Sequence, residues 1–382
     1  MLFGIVVFAI YLYFFIGIPQ IIAVIMQVNS QQYIFYYTLA LLSILASVFT
    51  WSIAWNLILR DLNVKITYRR AYLYYWVGYF TDLVIPCATI CGELTRLYLV
   101  EQETKKSYGT LAASAITNRI VAYTIVLIGL YSGALLIFIK PGVPAVIANI
   151  FIFFLIGVTI YAAVLLYLAF VKSAAENINR LYQKILKLIR RSKYQETQAQ
   201  PTSQSLSNYY EGFRVFRENP KLLLKPFVFH LISYLLGLST YVFIFAALGI
   251  PSPSPEFYIV VYFIATAVQD AAAAFSVGSL DIILASIFIL YGLPPATSGI
   301  AALLLRSVGF WFPLFVGFAS VQFLGVRDLV EHSEHLHRHP QKHPEHTGTS
   351  VSLQMTSPPT PRVASAVALK TKRPILGSCE AT

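Results

Sequence analysis

Apolar residues run unbroken along most of this chain, and polar residues gather in short stretches between the runs. Such runs exceed the roughly 20 residues that an α-helix needs to cross a bilayer. The pattern predicts complete spans over Leu2–Met26, Tyr33–Leu59, Thr110–Ile139, Ala145–Val171, Pro226–Ile250 and Thr297–Leu324. The period-two alternation of a transmembrane β-barrel is absent. Two further runs have a different character. Ala71–Val100 is long enough to span but carries Asp82, Pro86, Gly92, Glu93 and Arg96. Phe257–Tyr291 is too long for one span and is interrupted by Gln269, Asp270, Gly278, Ser279 and Asp281. Each ionisable group at bilayer depth costs about 2.5–3.5 kcal/mol on insertion scales, and Pro86 removes a backbone donor. Both runs therefore read as pairs of half-helices that meet at a break and are buried by other helices or line a wet cavity.

The polar segments orient the chain. Arg60–Arg70 and Lys172–Lys225 are strongly basic. If both broken runs crossed fully, these two segments would face opposite sides, against the positive-inside tendency. If each broken run folds back as a re-entrant hairpin, both segments lie inside with Glu101–Tyr108 and the C-terminal tail. The expected architecture is an all-α polytopic membrane protein with six full spans, two re-entrant hairpins and both termini cytoplasmic. Hairpins entering from opposite faces imply an inverted repeat with a site between its halves. Residues 1–325 form the membrane domain, with 172–225 as a basic insertion, and residues 326–382 are a disordered His/Pro-rich tail. Within the insertion, Ala174–Arg191 has the spacing of an amphipathic helix, lying on the membrane surface or packed on the bundle, and Ser192–Ser207 reads as a flexible connector. Trp51 and Trp55 are expected as interface anchors.

Composition agrees with this class. Hydrophobic residues make up 57% of the chain and charged residues 12%, against about 25% charged in soluble domains. The net charge of +11 comes from basic clusters at the ends of apolar runs, which speaks for membrane orientation and against nucleic-acid binding. There are 3 cysteines. Cys87 and Cys91 lie four apart, poorly placed to bridge on a continuous helix, and read as small buried residues. Six histidines between His332 and His346 have irregular spacing, and a solvated tail is favoured over a metal site. No Walker loop, dinucleotide motif or nucleophile–base arrangement occurs. No cofactor, metal or catalytic residue is expected, and His230, alone in a span, is assigned no role.

The candidate chemistry lies in the broken runs. Glu93 and Arg96 are three apart and share a helix face. The start of that helix offers free N–H groups and the positive end of its dipole. With the planar fork of Arg96 this suits an anionic head group; an internal Glu93–Arg96 pair that braces the bend is the alternative. Arg119, beside Asn118, either reaches the inner interface or faces the same cavity. Asp270 and Asp281 flank Gly278, and Arg306 follows in the last span. Asp281 with Arg306 reads either as a buried pair or as part of a substrate or ion site.

These residues resemble a known family. Pro86…Gly92-Glu93-Leu94-Thr95-Arg96 resembles the P…GE..R motif of the flippase-like transmembrane domain of lysylphosphatidylglycerol synthases, a domain that also stands alone in uncharacterised bacterial and archaeal membrane proteins. Asn118-Arg119 falls where that family tends to have Glu-Arg. Ser276-Val-Gly278-Ser-Leu-Asp281 resembles its PGG.G..E motif without the Pro and one Gly, and with Asp for Glu. Leu303-Leu-Leu-Arg306, then Trp311 and Gly317, resembles its closing R…W…G pattern. The similarity spans roughly residues 1–325. It implies a flippase-like protein of the cell membrane that moves an anionic phospholipid or lipid-linked glycan between leaflets, alone or beside a separate lipid synthase. Arg96, Arg119 and Arg306 would hold the head group, and Glu93, Asp281, Asp270 and Asn118 would support them or bind a coupling ion. The helix breaks fall at Pro86, Gly92 and Gly278. An integral-membrane transferase acting on a lipid or lipid-linked sugar, or a scaffold for a synthase, is the rival reading.

The loop charges make a direct prediction. Cysteines introduced at Ser30 and Ser254 should react with an impermeant thiol reagent from outside, and those at Tyr108 and Ser203 from inside. Outside labelling at Tyr108 would eliminate the first re-entrant hairpin.

Overall fold

The computed structural model describes residues 18–85, 90–139, 145–170, 203–251, 253–271 and 276–338. Among these the chain is helical, with no strand. α1 (Ile18–Gln27), α2 (Ser30–Asp61), α3 (Tyr68–Val84), α4 (Ile90–Thr104), α5 (Tyr108–Ile139) and α6 (Ala145–Phe170) form the first part. After α7 (Ser203–Glu218) and a 3₁₀ turn at Pro220–Leu223 come α8 (Leu224–Ala247), α9 (Pro255–Ala271), α10 (Ser276–Leu290) and α11 (Pro295–Arg306). A π-helical stretch, Ser307–Trp311, joins α11 to α12 (Phe312–Arg338). Four described segments are long and apolar enough to cross a membrane: Ser30–Asp61, Tyr108–Leu136, Pro220–Ala247 and Pro295–Gly325. Their outward faces carry large apolar side chains such as Phe49, Ile128, Leu135 and Phe315. A soluble domain would bury these; here they suit hydrocarbon.

Both expected breaks are present. The first run divides into α3 and α4, the second into α9 and α10. Pro86 lies among residues 86–89, outside the described residues.

The frame that carries these elements is the pair α2 and α8. They pack along their length and run antiparallel. Gln32 Nε2 donates to the carbonyl of Ala246, Tyr36 stacks on Phe243, the Ser239 hydroxyl donates to Ser43 Oγ, and Trp51 meets His230. At the centre the contacts are reciprocal. Ser47 Oγ donates to the Ser233 carbonyl at 3.0 Å, and Ser233 Oγ donates to the Ser47 carbonyl at 2.8 Å. Small hydroxyl residues let the two backbones approach and hold them by hydrogen bonds, as helices in lipid require.

Several expectations need correcting. Trp51 and Trp55 are not interface anchors: Trp55 is buried and donates to Ser114 Oγ, and Trp51 packs against His230 and Tyr234. Ser203–Ser207, expected within a flexible connector, is the first part of α7, whose Tyr209, Phe213 and Phe216 are buried against the bundle. The final helix does not stop at residue 325 but continues to Arg338; no Pro or Gly stands between Arg327 and Arg338 to end it. The stretch Ala174–Arg191 and residues 339–382 lie outside the described residues. Cys91 is disulfide-bonded, contrary to the reading of Cys87 and Cys91 as unbridged. That reading assumed one continuous helix, whereas α4 begins only at Ile90. The other two cysteines, Cys87 and Cys379, both lie outside the described residues.

Gly317 sets how closely α12 approaches α3. A Cβ there would lie 2.6 Å from Phe80 Cβ and 3.0 Å from the Trp76 carbonyl oxygen. Gly317→Ala should therefore destabilise the protein by about 1–3 kcal/mol through overpacking. Gly157→Ala, where a Cβ meets nothing within 4 Å, should leave stability unchanged. Thermal unfolding of the two variants in detergent checks the contrast.

Candidate functional site

The first broken run is organised by a close backbone contact. A Cβ on Gly92 would lie 2.1 Å from the Gly78 carbonyl oxygen and 2.2 Å from Asp82 Oδ2. Only glycine fits, so α3 and α4 touch main chain to main chain. Asp82 Oδ1 accepts the Gly92 N–H at 2.7 Å. The sequence reading left the start of α4 free for an external anion; the protein's own carboxylate already takes the Gly92 N–H there. Further charge around this break comes from side chains.

Those side chains converge. Arg96 is buried on α4. Its Nε donates back to the Gly92 carbonyl at 3.2 Å, and its guanidinium lies 4.3 Å from the Tyr75 ring centroid. Glu93 Oε1 stands 3.6 Å from Arg96 Nη2, an ion pair too long for a hydrogen bond. The shorter contact of Glu93 is to α5: Arg119 Nε lies 2.8 Å from Oε2. Arg119 Nη1 also donates to the Tyr161 hydroxyl on α6 at 3.0 Å. Glu93 thus stands between two arginines from different helices, and Arg119 faces the cavity, not the inner interface. Asn118, beside Arg119, has its Oδ1 2.9 Å from His230 Nε2. His230 is fully buried, and the Trp51 ring stands edge-on to it at 4.6 Å. The histidine's place is structural, tying α8 to α5 directly beside Arg119.

Asp82, Glu93, Arg96, Asn118 and Arg119 line one cavity of about 240 Å³, closed on the other side by Tyr241 of α8 and Gln269 of α9. Gln269 Nε2 donates to the Tyr79 hydroxyl, which donates to the Gly309 carbonyl in the π-helical stretch. A π-stretch leaves backbone groups out of the regular ladder, and here one of them receives a bond from the cavity wall.

The second broken run holds a separate cluster. Gly278 has φ +87°, a conformation natural to glycine. Its N–H donates to Asp281 Oδ2 at 3.0 Å, and Arg306 Nε donates to Asp281 Oδ1 at 2.7 Å. This is the buried pair that the sequence suggested. Arg306 and Asp281 are not among the residues lining the cavity; Arg306 lies over Phe310, 5.4 Å from the ring centroid. Asp270 falls in the last turn of α9, and its side chain is outside the described residues. Among the described residues no group of three or more His, Cys, Asp or Glu is placed to hold a metal ion.

Residues 1–317 match the family described as "Lysylphosphatidylglycerol synthase TM region". The chain belongs to that family. A curated relative, the UPF0104 membrane protein PH1989 of Pyrococcus horikoshii, is 24% identical over 318 residues, covering 79% of this chain and 89% of the relative. No solved structure matches at a significant level. Family membership and the apolar helices together make this a multi-pass membrane protein. The matched region includes both broken runs and the Arg306-Trp311-Gly317 segment, and ends before the polar tail.

Sequence reasoning saw Asp82 only as a charge in an apolar run and did not assign it to the site. Its partner lies across the break, where helical spacing no longer applies. Tyr75 and Tyr161 gave no signal, because the chain holds 25 tyrosines and nothing local distinguishes these two.

The Asp281–Arg306 pair yields a prediction about stability. Removing one partner of a buried pair strands the other charge and costs about 3–5 kcal/mol. Arg306→Met should destabilise by that order, and adding Asp281→Asn should recover part of the loss. Thermal unfolding of the single and double variants measures the coupling.

Proposed function

We propose that this protein moves an anionic lipid between leaflets by receiving its head group in the cavity between α3–α5 and α8–α9. The observation that carries the reading is the position of Glu93 between Arg96 and Arg119. A phosphate, like a carboxylate, presents oxygens that match the guanidinium forks of Arg96 and Arg119. A lipid phosphate entering the cavity would take over both arginines, and the released Glu93 would take up a proton or a coupling cation, so that the empty and loaded sites are each charge-compensated. Such exchange keeps unpaired charge out of a low-dielectric interior. Arg306 acts through Asp281, holding the second break in shape. No nucleotide-binding motif occurs, so transport runs downhill or on an ion gradient, with Glu93 as the coupling carboxylate.

The inverted repeat belongs to this proposal. In each half a long helix precedes a broken pair: α2 before α3 and α4, and α8 before α9 and α10. Each break has an aspartate that accepts a glycine N–H. The leading helices run antiparallel about the reciprocal Ser47–Ser233 contact. Two re-entrant hairpins of opposite entry, six full crossings and cytoplasmic termini are the topology that this symmetry favours. Rocking one half against the other would expose the cavity to either leaflet.

The test is head-group movement of fluorescent phosphatidylglycerol in proteoliposomes. The wild type should transfer lipid without altering it. Arg96→Gln and Arg119→Gln should each lose about ten- to a hundredfold in rate, the value of a charge-assisted contact of roughly 1.5–3 kcal/mol. Arg96→Lys should be impaired but less severely. A folded, inactive Glu93→Gln/Arg96→Gln double variant supports substrate contact; a folded, active one makes the pair a brace. Chemical modification of the lipid would replace the flippase with a transferase, and neither movement nor modification would leave a scaffold.

A further inference from the structure

A second concavity of about 500 Å³ lies between α5, α8 and α9. It is almost wholly apolar. Ile125, Ile128 and Gly129 line it from α5, Leu235 and Leu238 from α8, and Phe263 from α9. Ile128 is 55% exposed and Leu235 is 58% exposed, so the groove opens towards the surrounding hydrocarbon. Its floor depends on one glycine. A Cβ on Gly129 would lie 2.1 Å from the Phe263 ring, so the missing side chain lets the outer end of that ring approach α5.

The groove begins where the charged cavity ends. Along α5 the cavity is lined by Asn118, Arg119, Ala122 and Tyr123, and the groove continues from Ile125 to Ser132. Along α9 the order is reversed, with Gln269 and Thr266 in the cavity and Phe263, Ile259 and Tyr258 in the groove. Tyr234 of α8 lines both, and its ring stacks on Phe263. From Ala122 to Ser132 the path is about 15 Å at 1.5 Å per residue. A charged chamber joined to an apolar channel that opens sideways matches an amphiphile and not a free anion.

We propose that this groove seats one acyl chain of the same anionic lipid whose head group enters the Arg96–Arg119 cavity. The inference rests on the functional reading above and extends it. The chain runs from Tyr234 towards the Pro253–Pro255 turn, so this conformation accepts lipid whose tail lies on that side of the membrane. Because lipid tails are as apolar as leucine, the groove adds little affinity of its own. Its role is steric: it gives the chain an exit, so that a head group still bonded to its chain can reach the arginines.

The test uses the full-length protein with Leu235→Cys, alkylated after purification with a long-chain alkyl thiosulfonate, beside wild type treated alike to account for the native cysteines. This fills the groove in protein that has already folded. Ile128→Trp is the second variant. Binding of dioleoyl- and dihexanoyl-phosphatidylglycerol is measured by calorimetry, with Arg96→Gln as reference. The proposal expects binding of the dioleoyl lipid to weaken about tenfold, the scale of an overpacked contact, with the dihexanoyl lipid unchanged. Unchanged dioleoyl binding in both filled variants, or equal loss for the two lipids, overturns the groove while Arg96-dependent binding keeps the head-group site. Wild-type binding that does not depend on Arg96 overturns both.

Discussion

A charge inside a membrane must find its counter-charge inside the protein, and the core of this structure follows from that constraint. Glu93 stands between Arg96 and Arg119, Asp82 accepts the Gly92 N–H across the first break, and Asp281 accepts both the Gly278 N–H and Arg306. Without its partners each of these groups would cost several kcal/mol. The broken helices exist in compatible form because their freed backbone groups and buried carboxylates satisfy one another. The glycines at the breaks follow in turn: Gly92 because a side chain would collide with Gly78 and Asp82, Gly278 because its φ is positive.

The two charge clusters are bonded differently, and this separates their roles. Arg306 and Asp281 meet at hydrogen-bonding distance and are nearly inaccessible, as a brace requires. At Arg96 the contact to Glu93 is loose at 3.6 Å, and the guanidinium leans on the Tyr75 face and the Gly92 carbonyl. A cation held mainly by a ring and a neutral carbonyl keeps its charge available to an arriving anion. The charged cavity and the apolar groove joined at Tyr234 then form one surface with the two-part chemistry of a lipid.

Around these sites α2 and α8 form the frame. α2 and α8 are locked by reciprocal serine bonds, and His230 carries that frame to Asn118, next to Arg119. The broken pairs α3–α4 and α9–α10 pack against this spine.

The membrane class, the two breaks and the candidate charges Glu93, Arg96, Arg119, Asp281 and Arg306 were all legible in the chain. Hydrophobic run length and the rarity of ionisable groups within such runs are local properties, and the cost of burying a charge marks those positions wherever the helices go. The motif around Gly92-Glu93-Leu94-Thr95-Arg96 was legible for the same reason. What the chain order left open was pairing. That Glu93 binds Arg119 more closely than Arg96, that Asp82 caps α4, and that Trp51 and Trp55 face inward depends on which helices meet. Helical spacing carries no information across a break or between distant helices. The apolar groove was hidden for a further reason: a leucine facing lipid and a leucine lining a channel have the same sequence pattern, and only the position of a neighbouring helix decides between them.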